Sequence, residues 1–161
     1  LDSGLPVVVL AGVSDPGNAG TIIRSAVAAG AAGVLLTPGS VDPTNPKCVR
    51  SSAGALFATL VGAVEDMDTL RDLGLTTVGA AAGGVGPDEI DLAGPVAWVF
   101  GNEGGGLTAD TAGSTHHAVR IPMPGKAESL NVAAAASICL FEEVRQKMTI
   151  RTRGDPASPP A

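Results

Sequence analysis

The sequence predicts an α/β domain with a mainly parallel sheet flanked by helices. Three observations carry this: apolar runs of strand length alternate with helical patterns, several of those runs lack any polar alternation, and glycines stand where helix C-termini belong. The expected strands, in order, are Pro6–Leu10, Gly33–Thr37, Ala58–Val64, Leu75–Ala81, Val96–Phe100 and His117–Ile121. Between them Ala19–Gly30, Pro46–Gly54, Glu65–Gly74 and Leu130–Met148 read as helices, with Gly30, Gly54 and Gly74 as C-terminal caps. The acidic run Glu65, Asp66 and Asp68 suits the first turn of its helix, where carboxylates favour the dipole. After Met148 periodicity is lost and proline accumulates, so 149–161 reads as a disordered tail and 1–148 as the folded domain.

Composition bounds the function. The chain has 161 residues, 45% of them hydrophobic and 16% charged, enough for one well-buried core and too few for two ordinary domains. No apolar run approaches the roughly 20 residues of a membrane span, so the expectation is a soluble, cytoplasmic protein. Cys48 and Cys139 are far apart and outside any CxxC pair, which points to buried free thiols rather than a disulfide or zinc site. The formal net charge of −6 argues against a broad basic surface for nucleic acid on this chain alone. Leu1 is not an initiator methionine, and "LDSGLP" runs straight into a strand. The expectation is a fragment that lacks an N-terminal part.

In an open α/β sheet, ligands lie outside the carboxyl ends of the strands, and the loops leaving those ends should hold the chemistry. "SDPGNAGTIIR" puts Asn18 at a helix mouth and Arg24 on the second turn; by itself this is no more than a cap and a surface arginine. "FGNEGGGLT" sets Glu103 among four glycines, a carboxylate that packing does not explain. "IPMPGKAESLN" bends through Gly125 and its prolines and brings Ser129 and Asn131 to the mouth of an alanine-rich helix. None of these is a dinucleotide fingerprint or a P-loop. His116 and His117 precede a strand without a ligand partner and read as ordinary strand-end residues, so no metal is expected.

Taken together, "NAGTIIRSAVAAGA", "VFGNEGGGL" and "IPMPGKAESLNVAAAASICLFE" resemble the three ordered motifs of the SpoU (TrmH-like) RNA ribose 2'-O-methyltransferases of the SPOUT class. "NPKCVRSSAGALF" is similar to the matching segment of the ribosomal-RNA members, and the resemblance covers Pro6 to Glu143. It implies a fold whose C-terminal part is threaded as a deep trefoil knot, a homodimer, and S-adenosylmethionine as the methyl donor. Position by position, the catalytic set falls on Asn18, Arg24, Glu103, Ser129 and Asn131. The cofactor loops fall on Ala80, Ala81, Gly101, Asn102, Gly105, Ile121, Met123, Ser129 and Leu130.

The implied reaction places a ribose 2'-hydroxyl of RNA, ribosomal more than transfer RNA, in line with a sulfonium methyl and relieves it of its proton. The family assigns Arg24 as base or base assistant. A guanidinium is effectively always protonated and is better suited to gripping a phosphate or stabilising the alkoxide, with Glu103 orienting Arg24 or accepting from a ligand. Two other classes stay open. One is a cofactor-binding regulatory or dimerisation module that does not methylate; the other is a nucleotide-dependent small-molecule enzyme using "GNEGGG" as a phosphate loop.

Overall fold

The computed structural model describes residues 4–154. Six strands form one sheet, all parallel where paired: β1 (Val7–Ala11), β2 (Gly33–Leu36), β3 (Leu60–Ala63), β4 (Thr76–Val85), β5 (Val96–Gly101) and β6 (His117–Val119), in the order β3-β2-β1-β5-β4-β6. The helices are α1 (Pro16–Ala28), α2 (Pro46–Ser51), α3 (Asp68–Asp72), α4 (Ala109–Gly113) and α5 (Val132–Gly154). The expected α/β class and parallel sheet are therefore present.

The two faces of the sheet separate by residue parity, because successive side chains on a strand point to opposite sides. Val8, Leu10, Trp98 and Phe100 face one core with Ile22 and Ile23 of α1 and Ala136 and Leu140 of α5. Val7, Val9, Ala97 and Val99 face the other, with Met67, Leu70 and Leu75 around α3. Trp98 is fully buried and stacks on Phe100 with ring centroids 6.1 Å apart. Truncating it to alanine would cost on the order of 3–5 kcal/mol.

Buried glutamate is rare, and Glu143 of α5 lies 1% exposed beneath this core. It survives there because it is fully partnered: Trp98 Nε1 donates to one oxygen and Lys147 Nζ to the other, each at 2.5 Å. Burial pushes the carboxyl up, and the Lys147 and Trp98 hydrogen bonds offset only part of that rise. The thiols of Cys48 and Cys139 are free and buried, and burial pushes Cys139 up to about 12.

Several boundaries differ from expectation. α5 runs to Gly154, so the residues just beyond Met148 are helical rather than disordered; Thr, Ile and Arg continue a helix without strain until Pro156 approaches, and 155–161 lies outside the described residues. α3 begins only at Asp68, because the Asp66 side chain accepts from the backbone N–H and the hydroxyl of Thr69 and caps the turn from outside it. Of the acidic run, Asp68 alone sits in the first turn. β4 extends to Val85 through small residues that carry little strand preference, with a register shift between Ala80 and Val85 where both oppose Val119. Gly30 and Gly74 adopt positive φ directly after the ends of α1 and α3, as caps require, whereas α2 ends earlier than expected through Ala53, itself at φ 49°, and Gly54 opens the short 3-10 turn Ala55–Phe57 instead.

Gly20 shows why α1 and α2 can touch. A Cβ there would sit 1.9 Å from Ser51 Oγ and 2.4 Å from the Cys48 carbonyl oxygen, so the α1–α2 contact exists only with glycine. That contact sets α2 against the amino-terminal half of α1, the half that carries Asn18.

Candidate active site

The three unusual loops converge at the carboxyl edge of the sheet. Asp15 caps α1: its Oδ1 accepts from the Asn18 backbone N–H at 2.9 Å, and Pro16 fills the first helical turn. Lys47 pairs with the other Asp15 oxygen at 3.0 Å. The Asn18 N–H and the Lys47 ammonium hold the Asp15 carboxyl below the usual carboxylate range.

Glu103 leans across from the β5 loop onto this cap. Its Oε1 accepts from the Asp15 backbone N–H at 3.1 Å and from Asn18 Nδ2 at 3.2 Å, and its Oε2 sits 3.4 Å from the backbone N and the hydroxyl of Ser14. Partial burial pushes the carboxyl up, but its own backbone amide, Asn18, Asp15 and Ser14 pull harder the other way, so it lies below the usual value. It is an anion at neutral pH. The donors come from N–H groups clustered at the start of α1, where the helix dipole favours negative charge.

The loop itself is a tight reversal. Asn102 and Gly106 exchange two backbone hydrogen bonds at 3.0 and 2.8 Å, and a Cβ on Gly101 would collide with Gly106 and Leu107 backbone at 2.2–2.3 Å. Asn102 Nδ2 donates to the Gly12 carbonyl at 2.9 Å and ties the reversal to the β1 loop.

Asn131 closes the arrangement from the third loop. Its Oδ1 accepts from the backbone N–H groups of Ala133 and Ala134 and so caps α5, while its Nδ2 donates to Asn18 Oδ1 at 2.9 Å. Asn131 thus has both a structural and a connecting job at that helix mouth. A continuous chain results: Asn131 donates to Asn18, and Asn18 donates to Glu103.

Beside this chain lies an open cavity of about 440 Å³, within the size range of small-molecule sites. All nine residues expected to hold a cofactor line it, from Ala80 and Ala81 through Gly101, Asn102 and Gly105 to Ile121, Met123, Ser129 and Leu130. Glu103 lines it too. Asn18, Arg24 and Asn131 do not: Asn18 holds Glu103 and Asn131 holds Asn18, while Arg24 is exposed nearly two turns beyond Asn18 along α1. The expectation that Glu103 orients Arg24 is not met, since the groups that hold Glu103 are Asn18, Ser14 and Asp15. Ser14, Glu128 and Arg120 were not singled out from the sequence, yet Ser14 helps hold Glu103 and the other two line the cavity. Asp15 could have been found from the Ser-Asp-Pro start of the helix. His116 is structural: its Nδ1 lies 3.0 Å from the Thr77 backbone N–H and 2.8 Å from Thr77 Oγ1. Among the described residues no three His, Cys, Asp or Glu side chains form a metal-sized cluster, and no helix is long and apolar enough to cross a membrane.

Residues 6–141 match the model of the SpoU rRNA Methylase family. The chain belongs to that family. Among SpoU proteins it is 36% identical over 152 residues to the 23S rRNA (guanosine-2'-O-)-methyltransferase RlmB of Vibrio parahaemolyticus, covering 90% of this chain and 61% of that protein. Its fold superposes on the crystal structure of the SpoU methyltransferase AviRb from Streptomyces viridochromogenes with a TM-score of 0.87 at 34% identity, over 94% of this chain and 63% of the other. An AdoMet-bound rRNA methyltransferase from Sinorhizobium meliloti gives a TM-score of 0.83 at 38% identity, over 89% of this chain and 57% of the other. The chain therefore spans somewhat more than half the length of the SpoU relatives it matches.

Proposed function

We propose that this domain transfers the methyl group of S-adenosylmethionine to a ribose 2'-hydroxyl of RNA, and that the RNA is ribosomal. One observation carries the reading: the cavity lined by the second and third SpoU motif loops has Glu103 in its wall, and Asn18 of the first motif, itself held by Asn131, donates to that Glu103. The activities for which these relatives are named support the same substrate class.

The residues present fit the cofactor. The walls are apolar at Ile121, Met123 and Leu130, the glycines 104 and 105 leave backbone open to close approach, and carboxylates at Glu103 and Glu128 offer negative charge to a cationic ligand. S-adenosylmethionine would supply an electrophilic methyl on a sulfonium. Everything else falls to the chain. Ser129, exposed on the rim, would orient the incoming ribose; the asparagine chain would fix Glu103 and the mutual position of the loops; and Arg24 would grip a phosphate or stabilise the alkoxide as the hydroxyl loses its proton. Asn18 and Asn131 are on this reading positioning residues.

Three finer statements belong to the same proposal. The C-terminal part of the chain would be threaded through an earlier loop as a deep trefoil knot, supported by the return of residues 119–130 to Ala80 and Ala81 of β4 and to the loop after β5. Two copies would associate through α5, whose Ile138, Phe141 and Met148 are exposed at 43%, 48% and 63% on one helical face, opposite the buried Ala136, Cys139 and Leu140. The enzyme would act in the cytoplasm, where ribosomal RNA is.

Calorimetry with S-adenosylmethionine, its demethylated product and NAD tests the assignment. The first two should bind saturably; NAD binding in their place would replace this reading with that of a nucleotide-dependent enzyme.

A further inference from the structure

A second cavity, of about 360 Å³, lies at the carboxyl ends of β2 and β3. Its walls are largely apolar, with Leu36, Pro38, Val41 and Pro43 on one side and Gly62 and Ala63 on the other. Two of its polar side chains are already occupied. Thr37 Oγ1 and Ser40 Oγ both accept from the Gly12 N–H, at 3.2 and 3.0 Å, and both donate to the Leu10 carbonyl. The carboxylate of Glu65 is different: it is exposed and, among the described residues, takes part in no hydrogen bond or ion pair. The cavity therefore offers apolar walls and one vacant acceptor.

Its position ties it to the site. Thr37 and Ser40 hold Gly12, Val41 N donates to the Val13 carbonyl at 2.9 Å, and the next two residues, Ser14 and Asp15, hold Glu103. Along the sheet order β3-β2-β1-β5, the β5 loop that carries Glu103 stands two to three strand spacings from the second cavity, roughly 10–14 Å, which is the rise of about three to four stacked nucleotides. A strand of RNA with its acceptor ribose at Glu103 would thus bring a neighbouring nucleotide over the second cavity. RNA is read in single-stranded stretches, by splayed bases whose edges hydrogen-bond to side chains, and a carboxylate accepts from an exocyclic amine.

We propose that this cavity receives a base of the substrate RNA, within about four nucleotides of the methylated one, and that Glu65 selects a base carrying an exocyclic amino group. The inference rests on the RNA methyltransferase reading above.

Cytidine 5'-monophosphate and uridine 5'-monophosphate, which differ in that amine, are suitable probes for the whole labelled chain. The amides of Gly39 and Gly62 report on the second cavity and that of Gly105 on the first. The cytidine nucleotide should shift Gly39 and Gly62 and bind about five- to ten-fold more tightly than the uridine nucleotide. Glu65→Ala should level the two. Ala63→Leu, which adds bulk at an exposed edge-strand position, should abolish both responses. Equal binding of the two nucleotides, shifts that survive Ala63→Leu, or no shift at Gly39 and Gly62 would each overturn the proposal. S-adenosylmethionine titrated into the same sample separates the two ideas. A response at Gly39 with none at Gly105 would count against the methyltransferase reading and leave the base cavity standing, and the reverse would sink the base cavity alone.

Discussion

Asn131 Nδ2 donates to Asn18 Oδ1 across 2.9 Å and joins the start of α5 to the first turn of α1, 113 positions away in the chain. Asn18 in turn spends its amide on Glu103. Each asparagine uses both ends of its side chain, so neither can be replaced by a group with acceptors or donors alone without opening the chain.

Asn131→Asp is the sharper test of that chain, because it keeps an acceptor for the α5 cap and loses the donor to Asn18. Methyl transfer to RNA should fall by on the order of 10²-fold if the loops must be held in register, with the melting temperature little changed. Asn131→Ala should in addition cost about 1 kcal/mol of stability through the lost cap. Equal activity in Asn131→Asp and the parent would show that the bond is structural only.

Glu103 should titrate below the ordinary glutamate value when followed by carboxyl-carbon NMR, and Asn18→Ala should raise it by removing one of its donors. The folded pKa is depressed relative to the unfolded one, so the stability this group contributes is present above about pH 4.3 and is lost as pH falls through the folded value. Glu103→Gln should flatten that acid limb. An unshifted Glu103 would mean that burial offsets its hydrogen bonds completely.

Glu143 has the opposite sign. Its folded pKa is raised, so its contribution is fully present below the unfolded value and is lost as pH rises through the folded one. Unfolding followed by the fluorescence of Trp98, the one tryptophan, should show the parent losing ground to Glu143→Gln as pH climbs above about 4.3. Glu143→Ala should cost about 3–5 kcal/mol, because it opens a cavity and strands the Lys147 ammonium. A pH-independent difference between parent and Glu143→Gln would contradict the raised value.

Arg24→Ala should lower kcat by on the order of 10²-fold to 10³-fold while leaving S-adenosylmethionine affinity intact, since Arg24 lies outside the cavity. Arg24→Lys should rescue little if a two-point grip on phosphate or ribose matters. The assay belongs on the full-length gene product with its RNA. Parent-like kcat in Arg24→Ala would return the residue to the ordinary surface arginines of helices.

Phe141→Glu should convert a sedimenting dimer of this chain to a monomer at micromolar concentration, because it places a charge in the middle of the exposed apolar face of α5. A Phe141→Glu protein that still sediments at twice the chain mass would move the proposed interface elsewhere.

The sheet and its strands were legible from the order of apolar runs alone. Val7–Ala11 and Val96–Gly101 are buried on both faces, and a strand buried on both faces must be apolar throughout, so its sequence announces it. Helix ends marked by Gly30 and Gly74 were legible for a similar reason, that positive φ is cheapest for glycine, while the end of α2 was not, because there Ala53 takes the positive φ and Gly54 follows it. The loops of the site were legible as motifs, and the nine residues assigned to the cofactor do gather around one cavity. What only the tertiary structure decided are relations between residues that local sequence does not couple. That Glu103 turns to Asn18, Ser14 and Asp15 rather than to Arg24 depends on how the β1 and β5 loops dock across a parallel pair, 85 to 89 positions apart. That Glu143 lies inside, read from its own helix as one more charge in "FEEVRQK", depends on Trp98 of β5 supplying a donor and Lys147 a countercharge. The helix running on to Gly154 and the late start of α3 were settled by weak local preferences, in which Asp66 favoured a cap and Thr149 to Arg151 accepted a helix already under way, a balance of a few tenths of a kcal/mol per residue that composition cannot resolve.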